Sequence, residues 1–287
     1  MAFNQGCRGI VPSPMLNHVF LYYFLLLNRR DLDALGTGTT FKELSASSLR
    51  SFRIPLPPLE EQKRIVAKLD QAFAALDRAH VHAEANLADA KSLFDSMLHA
   101  KFSSHVDWSV RFLPEISGNL DRQRIPITKK DRTPGDIPYY GASGVVDHVA
   151  DHIFDDDLLL VSEDGANLLA RTYPIAFSIS GKSWVNNHAH VLRFDDATAQ
   201  EYVRLYLNSV SLEPYVSGMA QPKLNQASLN KIPIPFPDER ERAAIVSAAA
   251  DMQEQCEALE ESYSAQLADI TTLRQSLLQR AFSGQLT

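Results

Sequence analysis

Three short stretches hold the side chains best suited to chemistry. Residues 176–183 read Ala-Phe-Ser-Ile-Ser-Gly-Lys-Ser. They fit a loose phosphate-loop pattern, in which backbone N–H groups cradle a phosphate at a helix N-terminus. The pattern's first glycine is absent, and residues 184–192 alternate like a strand. The stretch therefore reads better as a strand carrying polar donors, Lys182, Ser183 and Asn186, of the kind that meet phosphates or base edges. His188 and His190 share one strand face, with His148, His152 and the run Asp155-Asp156-Asp157 upstream. Zinc takes three or four converging ligands, and this spacing demands none, so no metal site is expected and the three aspartates read as a turn.

The third stretch, Tyr139-Tyr140-Gly141-Ala142-Ser143-Gly144, is a glycine-bearing loop. It presents Tyr139, Tyr140 and Ser143 to bases, or buries both tyrosines in a core. Gln221, Lys223 and Asn225 follow Gly218. Gln and Asn pair with adenine through two hydrogen bonds, and Lys meets guanine or phosphate. No Ser-His-Asp order and no paired-carboxylate motif stands out, so no catalytic residue is expected.

Charge distribution bears on the same question. The net charge is −7 over 287 residues, which taken whole disfavours a phosphate-binding surface. Locally the balance differs. No Asp or Glu occurs between Gly165 and Phe194, whereas Arg171, Lys182 and Arg193 do, and Arg171 is expected, like Lys182, to meet phosphate. Arg122, Arg124, Lys129 and Lys130 mark a second basic stretch, and the tail from Phe236 is strongly acidic. Such runs are permissive only, since most are solvated faces. Hydrophobic residues at 45% and charged residues at 22% fit a globular chain and exclude disorder. Two cysteines, Cys7 and Cys256, are too few for a disulfide scaffold and point to a reducing, cytoplasmic setting. The longest apolar run, residues 19–27, is about half the ~20 residues of a membrane span; a buried helix is expected and no membrane partner.

The elements that position these residues come from a repeat. Ile54-Pro55-Leu56-Pro57 matches Ile234-Pro235-Phe236-Pro237 at a shift of 180. The same shift pairs Ile65-Val66 with Ile245-Val246, Leu87-Ala88-Asp89 with Leu267-Ala268-Asp269, and Phe102-Ser103 with Phe282-Ser283. Roughly two dozen of about eighty positions agree without a gap, against about five expected by chance. Each copy runs from a turn-rich stretch to a proline hinge to a long helix. Proline donates no backbone hydrogen bond and disfavours helix just before it, so the hinge is an extended boundary.

In the helices, apolar residues step by four and three, as a coiled-coil seam does. The first seam is predicted through Ile65, Leu69, Leu76, Asn86, Leu93 and Met97, the second through Ile245, Met252, Leu259, Gln266, Ile270 and Leu277. Each rod of about forty residues is roughly 60 Å long. One apolar stripe does not hold such a rod alone, so the two are expected to pack together, antiparallel about a pseudo-twofold. The polar pair Asn86 and Gln266 either fixes register or is merely tolerated.

These residues resemble a known family. IPLPPLEEQKRIVAKLDQ (54–71) and IPIPFPDERERAAIV (232–246), each entering a long helix, are similar to the conserved regions of the specificity subunit of type I restriction–modification systems. TGTTFKELSASSLRSFRIPLPPL (37–59) and SGMAQPKLNQASLNKIPIPFP (217–237) resemble the closing segments of its target-recognition domains. Residues 3–12 resemble a late strand of such a domain, and residues 137–154 and 158–168 its earlier half.

The resemblance implies an α+β fold: mixed α/β target-recognition domains joined by two long antiparallel coiled-coil helices. The implied division is 1–57, the end of a first recognition domain; 58–104, the first helix; 105–235, a second recognition domain; and 236–287, the second helix. A counterpart of residues 106–184 is not found before Met1, so the first domain is expected to be incomplete. The resemblance further implies a non-catalytic subunit that reads half of a bipartite duplex DNA target. It would dock methyltransferase subunits, and a motor-nuclease subunit would join. No cofactor is implied on this chain; S-adenosylmethionine, ATP and magnesium belong to the partners. The residues alone leave open a different reading, a coiled-coil scaffold that binds protein and no DNA.

Overall fold

The computed structural model describes residues 7, 9–37, 43–103, 108–218 and 220–286. Helices are α1 (His18–Leu27), α2 (Arg29–Ala34), α3 (Ala46–Ser51), α4 (Leu59–Ser103), α5 (Leu113–Ile116), α6 (Asn167–Ala170), α7 (Ala197–Ser209), α8 (Gln226–Leu229) and α9 (Glu239–Phe282). Strands are β1 (Val110–Arg111), β2 (Gly118–Asn119), β3 (Ile137–Gly141), β4 (Gly144–Val149), β5 (Phe154–Asp155), β6 (Leu158–Ser162), β7 (Ala176–Ile179), β8 (Lys182–Val185), β9 (Ala189–Arg193) and β10 (Ile234–Pro235). The mixture of helix and sheet is the expected α+β class. Two compact units divide the chain, Met1–Ala90 with Ala258–Thr287, and Lys91–Glu257.

In the first unit the long apolar run becomes α1, capped by the Asn17 side chain, which accepts from the N–H groups of Val19 and Phe20. Its Phe20 and Tyr23 pack with Ile65, Leu69 and Phe73 of α4 and with Leu278 and Ala281 of α9. Here α4 and α9 run antiparallel: Arg274 pairs with Asp77, and Lys68 reaches the carbonyl of Leu286 at 3.1 Å. Of the late strand expected over 3–12, residues 3–6 and 8 lie outside the described residues, and 9–12 form no strand.

The predicted seam needs correction. Ile65 and Leu69 are buried, but Leu93 is 43% exposed and Leu259 38%, and Asn86 and Gln266 are exposed. The inward positions are Phe73, Ala83, Leu87, Ala90, Phe94 and Leu98, of which Ala83 and Ala90 lie on the predicted seam and the other four do not. A strict seven-residue repeat drifts about 20° per heptad from a straight helix of 3.6 residues per turn. Leu93 lies four heptads after Ile65; Phe94 lies at eight full helical turns, and it is Phe94 that faces inward. Leu76, Met97, Met252, Ile270 and Leu277 are half-buried, and Ile245 is buried.

The second unit holds two four-stranded sheets, ordered β2-β9-β6-β7 and β4-β3-β8-β5, and the short pair β1-β10. Residues Leu158 to Val161 of β6 are apolar because both faces of the strand are covered. Leu159 and Val161 join the core formed with α7, Leu98, Phe102, Ile245 and Ala249. Leu158 and Leu160 join the core shared with Phe154, Ile179, Val185 and Val191. The phosphate-loop reading ends here: Gly181, at φ +72°, turns the chain from β7 into β8, and no helix follows.

Candidate nucleic-acid interface

The site is built at one end of β3, β6 and β8. Strands β3 and β8 run parallel, with Tyr139 opposite Trp184, so both deliver their C-terminal ends to the same side. Beyond β8, the Asn186 N–H donates to the Tyr140 carbonyl at 3.1 Å. Beyond β3, the turn at Ala142-Ser143 is held by Ser162 at the end of β6, whose Oγ donates to the Ala142 carbonyl at 2.5 Å. The 220–225 loop arrives from the other side. Leu224 N–H donates to the Glu163 carbonyl at 2.8 Å, and Gly165 N–H to the Pro222 carbonyl at 3.0 Å. Gly218 has φ +82°, and a Cβ there would lie 2.6 Å from the Gln221 carbonyl oxygen, so only glycine fits the approach to this loop.

This geometry brings together exposed Ser143, Gln221, Lys223 and Asn225 with Asn187 and His188. His188 is tied to Asp164, Nδ1 to Oδ2 at 2.8 Å. Asn225 also caps α8, accepting from Ser228 N–H at 3.0 Å. Lys182 is exposed but begins β8, opposite Asp155, and so lies about four residues, or roughly 13 Å of strand, from Asn186.

Several expected contact residues serve the fold instead. Tyr139 is 1% exposed; the Arg132 guanidinium stacks 4.1 Å from its ring centroid and its hydroxyl meets Ile127. Ser183 is 1% exposed, and Asn186, 7% exposed, accepts from His188 N–H at 2.8 Å. Tyr140 is half-buried against Phe177, and burial raises its phenol pKa. Arg171 adopts a left-handed backbone at φ 53° and donates to the carbonyls of Leu207 and Val210, closing the C-terminus of α7. The motifs around these positions were readable; which way each side chain points depends on strand register and on partners remote in sequence.

Under the loops lies a charged network. Arg124 donates to Glu163 Oε2 at 2.7 Å and to the Ala189 carbonyl at 2.6 Å. Lys223 Nζ sits 3.1 Å from Glu163 Oε1. Asp121 accepts from Val191 N–H at 2.8 Å and meets His190 Nδ1 at 2.6 Å; His190 Nε2 meets the Leu224 carbonyl at 2.7 Å. Burial pushes the Asp121 carboxyl upward, but His190, Val191 N–H and Arg124 outweigh it and hold the pKa below the usual aspartate range. Glu163 is likewise lowered, with burial overcome by Arg124, His190 and Lys223.

Asp121, Glu163 and His190 bring possible ligand atoms within 4.8 Å of one another. Yet both nitrogens of His190 are engaged, and a guanidinium and an ammonium already sit on Glu163, so the arrangement suits an ion-pair network better than a cation. Reasoning from sequence missed Asp121 and Glu163 altogether. They stand 69 and 27 positions from His190, and no local signal marks them.

The family described as type I restriction modification DNA specificity domain matches residues 1–85 and 105–268. The chain is 36% identical, over an alignment of 333 residues, to the type I restriction enzyme EcoDI specificity subunit of Escherichia coli, covering 99% of this chain and 74% of that one. It is 34% identical over 134 residues to a putative type I restriction enzyme specificity subunit of Haemophilus influenzae, covering 47% of this chain and 34% of that relative. Thus the chain aligns with only a third of the Haemophilus relative's length. Among solved structures, the HsdS subunit from Thermoanaerobacter tengcongensis superposes with a TM-score of 0.62 at 20% identity, over 93% of this chain and 70% of that one. A chain from a structure of the type I R-M system superposes at 0.73 and 20% identity, over 93% and 71%. These two likenesses establish the fold.

Proposed function

Because the chain belongs to the type I restriction modification DNA specificity family, we propose that its second unit reads half of a split duplex DNA target through the loops at the ends of β3, β6 and β8. The family is that of the non-catalytic specificity subunit, whose partner subunits hold the activities. On this reading Ser143, Gln221 and Asn225 face base edges and Lys223 faces phosphate. The long helices α4 and α9 dock methyltransferase subunits, which bring S-adenosylmethionine and methylate adenine. A motor-nuclease subunit with ATP and magnesium completes the complex in the cytoplasm.

The observation that carries the reading is the pinning of separate loops, 142–143, 186–188 and 220–225, around the end of one buried strand. Such a rigid cluster of exposed amide, hydroxyl and ammonium groups fits direct readout better than a loose loop does. With a net charge of −7, the chain alone binds DNA weakly and in a salt-sensitive way. Co-production with a type I methyltransferase subunit is the test: the complex methylates adenine at one sequence, whereas methylation without regard to sequence overturns the reading.

The acidic residues Glu254, Glu257 and Glu261 are exposed on α9 and favour a second reading, a scaffold for a basic protein partner. That reading predicts no DNA affinity even at low salt.

A further inference from the structure

We propose that His190 is a positioning residue that fixes the 220–225 loop for base readout, a claim that rests on the DNA-reading function above. The ring is 1% exposed and lies on β9, in the centre of its sheet. The Leu224 carbonyl only accepts, so Nε2 donates to it at 2.7 Å. On the other side Nδ1 lies 2.6 Å from the Asp121 carboxylate. Asp121 is itself anchored by Val191 N–H at 2.8 Å, and Arg124 approaches it to 3.5 Å.

The ring is therefore a rigid strut between a fixed carboxylate and the backbone of the loop. The bond it makes falls between Lys223 and Asn225, the two polar residues flanking Leu224. Leu224 donates its own N–H to the Glu163 carbonyl, so both polar groups of one peptide segment are held by the core. Glu163 meanwhile pairs with the exposed Lys223 ammonium and retains Arg124 as a partner when Lys223 turns to a phosphate. The loop is thus held at its backbone while its cation stays free to move. Discrimination among bases needs the first property and affinity needs the second.

The test separates the two ends of the ring. His190→Gln places its amide nitrogen near the Nε2 position and keeps the donor to Leu224. His190→Asn places its amide near Nδ1, keeps the Asp121 bond and leaves the Leu224 carbonyl without its strut. Each variant is co-produced with the methyltransferase subunit, and methylated adenines are mapped at the target and at sites differing from it by one base. His190→Gln keeps the wild-type preference within about twofold, whereas His190→Asn loses about tenfold, the order of one base contact. Binding of the purified variants to unrelated DNA at low salt stays unchanged.

Equal preference in both variants overturns the inference, as does a loss in His190→Asn that falls equally on target and unrelated DNA. If the wild-type complex shows no preference at all, the DNA-reading function fails first, and the strut with it.

Discussion

Gln62 and Arg242, 180 positions apart, each donate to the carbonyl of a hinge proline, Pro57 at 2.8 Å and Pro237 at 2.7 Å. Each also holds the capping residue of a helix that precedes it. Gln62 Oε1 accepts from Asn17 N–H at 2.8 Å, and Arg242 Nη2 lies 3.3 Å from Asp196. One residue type is neutral and the other charged, yet each ties its proline hinge to the helix cap that precedes it. The duplication is therefore one of mechanics as well as of sequence.

Gln62 is completely buried and makes three hydrogen bonds. Its replacement by leucine orphans Pro57 and Met15 carbonyls and the Asn17 N–H. The expected loss is about 2–4 kcal/mol, read as a shift of the urea midpoint. An unchanged midpoint contradicts the role assigned to it.

The corrected helix face makes a second prediction. Leu69→Ala, at a fully buried position, costs about 2–5 kcal/mol. Leu93→Ala, at a 43% exposed position, stays within about 0.5 kcal/mol. Equal losses restore the strict heptad.

What was legible follows from range. The proline hinges and the buried helix at residues 18–27 depend on local patterns and the 180-residue repeat on matching the chain to itself, and the helices α4 and α9 follow the hinges at that shift. The seam was legible at Ile65, Leu69, Ala83 and Ala90, and is displaced by one residue to Phe94 and Leu98 near its end, because a small angular error per heptad accumulates. The site was legible as motifs but not as orientations. Nothing near Ser183 or Asn186 in sequence tells that each is buried by strand pairing, and nothing links Asp121 to His190 except the pairing of β2 with β9.

Acid stability should depend on the buried network. Asp121 and Glu163 have folded pKa values below their ordinary ones. Their contribution is thus complete above the unfolded carboxylate range near pH 4, and is lost as pH falls through the folded values. Thermal midpoints of the wild type drop on acidification below about pH 4. Asp121→Asn is less stable at pH 7 by about 1–3 kcal/mol and loses less on acidification. Parallel curves for the two proteins exclude the carboxylate as a source.

Lys223 and Lys182 differ in position and should differ in effect. Lys223→Ala lowers DNA affinity of the complex and reduces the slope of log affinity against log salt by about 0.9. Lys182→Ala, at the opposite end of β8, leaves the methylated sequence unchanged. Slopes measured by titration between 50 and 200 mM salt, roughly the range over which such contacts weaken, settle the comparison; equal slopes for wild type and Lys223→Ala remove the phosphate contact.

The most direct measurement exchanges the reading unit. Residues 108–236 are replaced by the matching segment of the Escherichia coli EcoDI subunit, α4 and α9 are kept, and methylated adenines are mapped with the same methyltransferase partner. The account predicts that one half of the methylated sequence changes to that of the donor. An unchanged sequence contradicts it.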